Sequence, residues 1–132
     1  MLRLSPLLLL TVLCVSTLSA ENEKPNILFI VADDLGWADV GWHSSNIKTP
    51  TLDRLVKEGV ELDQHYVQPV CTPTRTALMS GRYPGRFGPH ALVPSNLRSL
   101  PLGTPTLASL LKSAGYQTAI AGKWHLGSRT EW

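Results

Sequence analysis

The sequence predicts an α/β fold with a largely parallel sheet. Three observations carry this. Asn26 to Ala32 is an unbroken apolar, β-branched run, the composition of a strand buried on both faces. Two later segments, each opening Thr-Pro-Thr-Leu at Thr49 and Thr104, have helix-start chemistry. Short apolar stretches follow each of them, so strands and helices alternate along the chain.

Taken in order, Asn26–Ala32 forms the first strand and runs directly into Asp33 and Asp34. Thr49 then caps a helix with Pro50 at its first position. Leu52, Leu55 and Val56 supply its i, i+3, i+4 face, and Gly59 closes it. Val60 to Val67 alternates loosely and reads as a second strand. A further helix begins at Thr72-Pro73, leaves Cys71 just before its N-terminus, carries Ala77, Leu78 and Met79, and ends before Gly81. Tyr83 to Pro105, rich in Pro and Gly, is a long loop with short turns. The last helix starts in Thr104-Pro105-Thr106-Leu107, with Leu107, Leu110, Leu111 and Ala114 on its apolar face, and Tyr116 to Ala121 is the next strand.

The first twenty residues stand apart. Arg3, the apolar Leu7–Val15 run and the small residues from Ser16 to Ala20 have the layout of a secretory signal peptide, and the run is short for a membrane span. The chain is therefore expected to be exported, to an extracellular, periplasmic or lysosomal destination, with no stable membrane association after cleavage. Cleavage would remove one of 12 basic residues and none of the 10 acidic ones, so the net charge falls from +2 to +1. Nothing in this near-neutral balance forms the basic, aromatic-laced stripe of a nucleic-acid binder. Cys14 would leave with the signal, making Cys71 the one cysteine of residues 21–132. An unpaired cysteine in an exported chain calls for a reason: accident, an intermolecular bridge, or chemistry.

Three constellations could carry chemistry. Asp33 and Asp34 follow the first strand, at the carboxyl edge where open α/β sheets bind ligands. Two adjacent carboxylates suit a hard cation such as Ca²⁺ or Mg²⁺, or form a solvated turn. Cys71 precedes a helix whose amides and dipole favour an anion, with Arg75 one turn on and able to reach back. It is a reactive thiol or a buried structural cysteine. Lys123 and His125 lie two apart after Gly122. If that segment is extended they share a side and could hold a tetrahedral anion, with Trp124 turned away into packing. Otherwise they are a surface lysine and a structural histidine. Arg86, His90 and His43 could line a pocket or be ordinary loop residues.

Together these segments resemble the formylglycine-dependent sulfatases. Cys71-Thr72-Pro73-Thr74-Arg75, continuing to Arg82, is similar to the first sulfatase signature, C-x-P-x-R; Gly115 to Gly127 is similar to the second; Lys24 to Gly36 is similar to the family's opening strand and metal-binding Asp pair. The three motifs stand in family order, and with Gly81 to Arg86 the likeness is to the arylsulfatase branch, which includes sulfatases of sulfated sugars.

The resemblance implies an alkaline-phosphatase-like sandwich whose parallel central sheet is flanked by helices, with residues 21–132 as the N-terminal part of the catalytic domain. It implies hydrolysis of sulfate monoesters, Asp33, Asp34 and the modified Cys71 as ligands of Ca²⁺ (Mg²⁺ less suited), and conversion of Cys71 to formylglycine by a formylglycine-generating enzyme that reads Pro73 and Arg75. Arg75 would also hold the formylglycine, Lys123 the sulfate oxygens, and His125 the aldehyde hydrate or the sulfate. The family's other metal ligands, an Asp-Asn pair, and a further His and Lys lie downstream of the region matched here. Residues 21–132 alone are accordingly expected to be unstable and inactive. A phosphate or phosphonate ester hydrolase of the same superfamily and a non-catalytic truncated product are the alternatives.

Overall fold

The computed structural model describes residues 24–94, 96 and 100–128; the expected signal peptide, residues 1–20, lies outside them. The chain divides into two units, residues 1–31 and 32–132. In the first, residues 24–31 are extended and exposed, with Leu28 85% accessible.

The second unit is built on three helices. Helix α1 spans Pro50–Glu58 between Thr49 and Gly59, as the sequence predicts. Thr49 does not cap through its side chain: its hydroxyl accepts from the Gly41 N–H at 2.7 Å and donates to Asp53 at 2.8 Å. Gly41 is required here, because a Cβ would sit 2.8 Å from both Asp53 carboxylate oxygens. The apolar face of α1 remains open, with Leu52 and Leu55 exposed.

Helix α2 spans Cys71–Ser80, so Cys71 is its first residue rather than the one before it. The one-residue shift has a simple cause. Pro73 lacks an N–H, but the first four N–H groups of a helix have no intrahelical acceptor in any case, and the first such bond here is Thr74 N–H to the Val70 carbonyl at 3.2 Å. The Thr74 hydroxyl also donates to the carbonyls of Gln68 and Val70, each at 2.9 Å. The helix closes on Gly81, whose φ of 64° is the left-handed conformation that glycine adopts without steric cost. Helix α2 buries Thr72, Pro73 and Thr76, not Ala77, Leu78 and Met79. Positions i, i+1 and i+4 share one side of a helix. Around this helix gather α3 and two 3₁₀ turns, Pro84–Phe87 and Pro89–Ala91, both within the first part of the predicted loop.

Helix α3 spans Leu107–Ser113 and starts two residues later than Pro105 suggests. Thr106 and Ser109 cap it reciprocally: the Ser109 N–H donates to the Thr106 hydroxyl at 3.1 Å, and the Thr106 N–H to the Ser109 hydroxyl at 2.7 Å. Such a cap contributes about 1 kcal/mol. Leu107 and Leu110 stay exposed.

No strand forms among the described residues, which departs from the three strands the sequence predicts. A strand is defined by a hydrogen-bonded neighbour, and β-branched composition records suitability for a pleated, half-buried surface rather than an intrinsic backbone state. Segments 26–32 and 116–121 are extended but have no ladder partner. Within 60–67 a turn intervenes, the His65 N–H reaching the Leu62 carbonyl at 3.3 Å. The fully enclosed apolar core of the second unit is correspondingly small: Val40, Ala91 and Leu126. Among the described residues no helix is long and apolar enough to cross a membrane.

Candidate active site

Asp33 is the centre of the site. Its Oδ1 accepts from the Arg75 guanidinium at 3.2 Å and its Oδ2 from the Lys123 ammonium at 2.8 Å. The second guanidinium nitrogen of Arg75 donates to the Lys123 carbonyl. Three segments distant in sequence are thereby tied together through one carboxylate and one guanidinium. Arg75 lies on the first turns of α2, which Cys71 heads, and its side chain is only 13% exposed, against 41% for Asp33.

The electrostatics follow from these contacts. The Lys123 hydrogen bond, with that of Arg75 and the charges of both, holds the Asp33 carboxyl below its ordinary value against the opposing effect of desolvation. The same Asp33 contact raises Lys123, and the sulfur of Cys71 adds to the support of the ammonium while Arg75 opposes it. Cys71 is a free, half-buried thiol.

Two residues of the site adopt left-handed backbone without being glycine: Asp34, φ 58°, and His125, φ 56°. Asp and His are among the residues that tolerate this region, at a cost of order 1 kcal/mol or more. At Asp34 the chain turns immediately after the carboxylate held by the two cations. At His125 the turn corrects the expectation of an extended segment: Lys123 goes to Asp33, while His125 meets Thr72. The fully buried Thr72 hydroxyl donates to the His125 carbonyl at 3.4 Å and lies 3.5 Å from its Nδ1. Leu126, 2% exposed, anchors this turn, and Trp124 remains 38% exposed instead of being packed away.

Thr72 is the member of the site that sequence reasoning missed. It reads as helix-start chemistry, and no spacing rule connects it to a histidine 53 positions later. Arg75 reaches Asp33 and Lys123 instead of turning back along its own helix. The three peripheral residues lie elsewhere. Arg86 lines a cleft with Gln68, Ala77, Gly81, Arg82 and Tyr83, His90 is exposed within the Pro89–Ala91 turn, and His43 belongs to a tryptophan cluster.

Two adjacent carboxylates, Asp33 and Asp34, have the oxygen-donor chemistry that suits a hard cation, which takes 6–8 oxygens. They would supply part of such a shell. Among the described residues, no group of three or more His, Cys, Asp or Glu side chains is assembled.

The sulfatase family model matches residues 25–131, and the chain belongs to the sulfatase family. It is similar to arylsulfatase J of Mus musculus, 49% identical over 111 residues, covering 83% of this chain and 19% of the relative. Arylsulfatase A of Bos taurus is 50% identical over 113 residues, with 82% and 22% covered. The steryl-sulfatase of Homo sapiens is 45% identical over 118 residues, with 83% and 20% covered. The chain spans about a fifth of the length of these curated relatives.

Proposed function

We propose that residues 21–132 form the N-terminal part of a sulfatase catalytic domain that hydrolyses sulfate monoesters, in an exported protein whose residues 1–20 are its signal peptide. The observation that carries this reading is the convergence of Arg75 and Lys123 on Asp33, at the end of the helix headed by Cys71. It brings a carboxylate for a metal, a cysteine for modification and two cations for an anionic ester to one place.

The residues divide the work by charge. A sulfate monoester is a stable anion, so its hydrolysis needs an oxygen nucleophile and neutralisation of the charge that develops on the sulfate and the leaving group. Formylglycine made from Cys71 by a formylglycine-generating enzyme, when hydrated, supplies that oxygen and, through its second hydroxyl, a route for releasing sulfate. Asp33, Asp34 and position 71 would hold Ca²⁺, which supplies positive charge at the nucleophile and lowers its pKa. Lys123 presents an ammonium to the sulfate oxygens, and Arg75 fixes the relative placement of Asp33, Lys123 and the head of α2. His125, in its left-handed turn against Thr72, would contact a hydroxyl of the aldehyde hydrate or the sulfate.

Much apolar surface of the described residues is open: Leu52, Leu55, Leu107, Leu110 and Ile120 are all exposed. Faces of this kind are what further layers of an α/β sandwich cover, which fits the N-terminal-part reading and makes residues 21–132 inactive and unstable by themselves. The test is kinetic. Full-length protein, expressed with the converting enzyme, is assayed on matched aryl sulfate and aryl phosphate esters. Preference for the sulfate supports the proposal; preference for the phosphate, or no turnover of either, overturns it.

A further inference from the structure

His43 makes two short contacts that one neutral imidazole cannot both supply. Its Nδ1 lies 2.7 Å from the Trp37 carbonyl oxygen and its Nε2 lies 2.8 Å from Glu61 Oε1. A carbonyl oxygen only accepts, so Nδ1 carries a hydrogen. Glu61 Oε1 also receives the Trp42 indole N–H at 2.7 Å, and an indole N–H only donates. That second donor favours an anionic carboxylate, which places the proton of the His43–Glu61 contact on Nε2. Both ring nitrogens then bear hydrogens, and the ring is an imidazolium. Its surroundings suit a cation. The Trp37 ring stacks on it with centroids 3.6 Å apart and planes at 17°, and Trp42 approaches at 5.0 Å. The His43 side chain is 13% exposed, so little water is at hand to replace a lost partner.

We infer that His43 is a proton-operated latch, which as an imidazolium ties the Trp37–Asp39 and Gly41–His43 turns to Glu61 and on deprotonation gives up one of its two ties. The neighbouring carboxylates are otherwise engaged. From α1, which packs on the Gly41–His43 turn, Asp53 accepts from Thr49 and lies beside Gly41. From the preceding turn, Asp39 accepts the Gly36 N–H at 2.8 Å. Glu61 is therefore the carboxylate that faces the ring. The latch is closed while the ring holds both protons and opens when it loses one; imidazoles as a class change charge between about pH 5 and 8, so that is the window in which it is tested. It acts on the segment that follows Asp33 and Asp34 and holds independently of the proposed chemistry.

The full-length chain tests it by nitrogen NMR of the His43 ring and by tryptophan emission, each followed from pH 5 to 8. Two protonated ring nitrogens at the acid end, and an emission change that tracks their loss, are expected. Glu61→Gln is the diagnostic variant: the one oxygen that both Trp42 and the His43 ring reach becomes an uncharged amide oxygen, which still accepts from Trp42 but is no ionic partner for the ring, so the tie made by the doubly protonated ring weakens and the emission change shrinks. His43→Phe keeps the ring stack without the protons and loses the change; if it fails to fold, Glu61→Gln carries the comparison alone. A singly protonated ring at the acid end, or the same emission profile in wild type and Glu61→Gln, overturns the inference.

Discussion

Lys123 donates to Asp33 at 2.8 Å across 90 positions of sequence. The contact joins the segment carrying the two carboxylates to the segment carrying the lysine and histidine, and Arg75 closes the same junction from α2. An ammonium beside a carboxylate in a partly exposed setting contributes little to stability. Its value in a sulfatase would lie in holding a positive charge where an anionic ester must bind.

Replacing Lys123 with Met keeps the apolar stem and removes the charge. In the full-length enzyme this should lower kcat/KM for an aryl sulfate by roughly 10²–10³-fold, the scale for losing one preorganised electrostatic contact, with the unfolding midpoint nearly unchanged. Steady-state kinetics and a thermal melt read the two effects separately. Unaltered kinetics would remove Lys123 from the sulfate site.

The ion pair also fixes a pH window. Asp33 titrates below its ordinary 3.8, so its contribution is full above that value and is lost as pH falls through the lowered one. Lys123 titrates above its ordinary 10.5, so its share is full below that value and is lost as pH rises through the raised one. Between these limits the contact is constant. Melts of wild type and Asp33→Asn across pH should differ by a fixed amount in the window and converge at its acid end. A difference that varies through neutral pH contradicts the assignment.

Gly41→Ala tests the close approach beneath α1. The added Cβ would lie 2.8 Å from both Asp53 oxygens and 3.0 Å from the Thr49 hydroxyl, and overpacking of this kind costs about 1–3 kcal/mol. Urea unfolding should show that loss, and Asp53→Ala in the same chain should recover part of it. Equal losses in the single and double variants would mean the crowding lies elsewhere.

What the sequence makes legible is local. Thr49-Pro50 and Gly59 bound α1 to the residue, because a proline at the first helical position and a glycine after the last are local signals. Asp33, Cys71, Arg75 and Lys123 are legible as a group through their motifs. The joint that Arg75 makes with Lys123, the left-handed turn at His125 and the buried Thr72 are not, since each depends on which segments meet in space. The strands fail for the same reason. Asn26–Ala32 has the composition of a buried strand, but pairing is a property of two segments, and one segment's sequence does not contain it.

Everything rests on Cys71, and mass spectrometry of the peptide that contains it is the most direct test. With the full-length protein co-expressed with a formylglycine-generating enzyme, conversion of the thiol to an aldehyde would lower the peptide mass by about 18 Da, the replacement of CH₂SH by CHO at the proposed nucleophile. That shift, abolished by Arg75→Ala and by Pro73→Ala, is the predicted result. A peptide that keeps its unmodified thiol beside an active converting enzyme would contradict the sulfatase chemistry proposed for this chain.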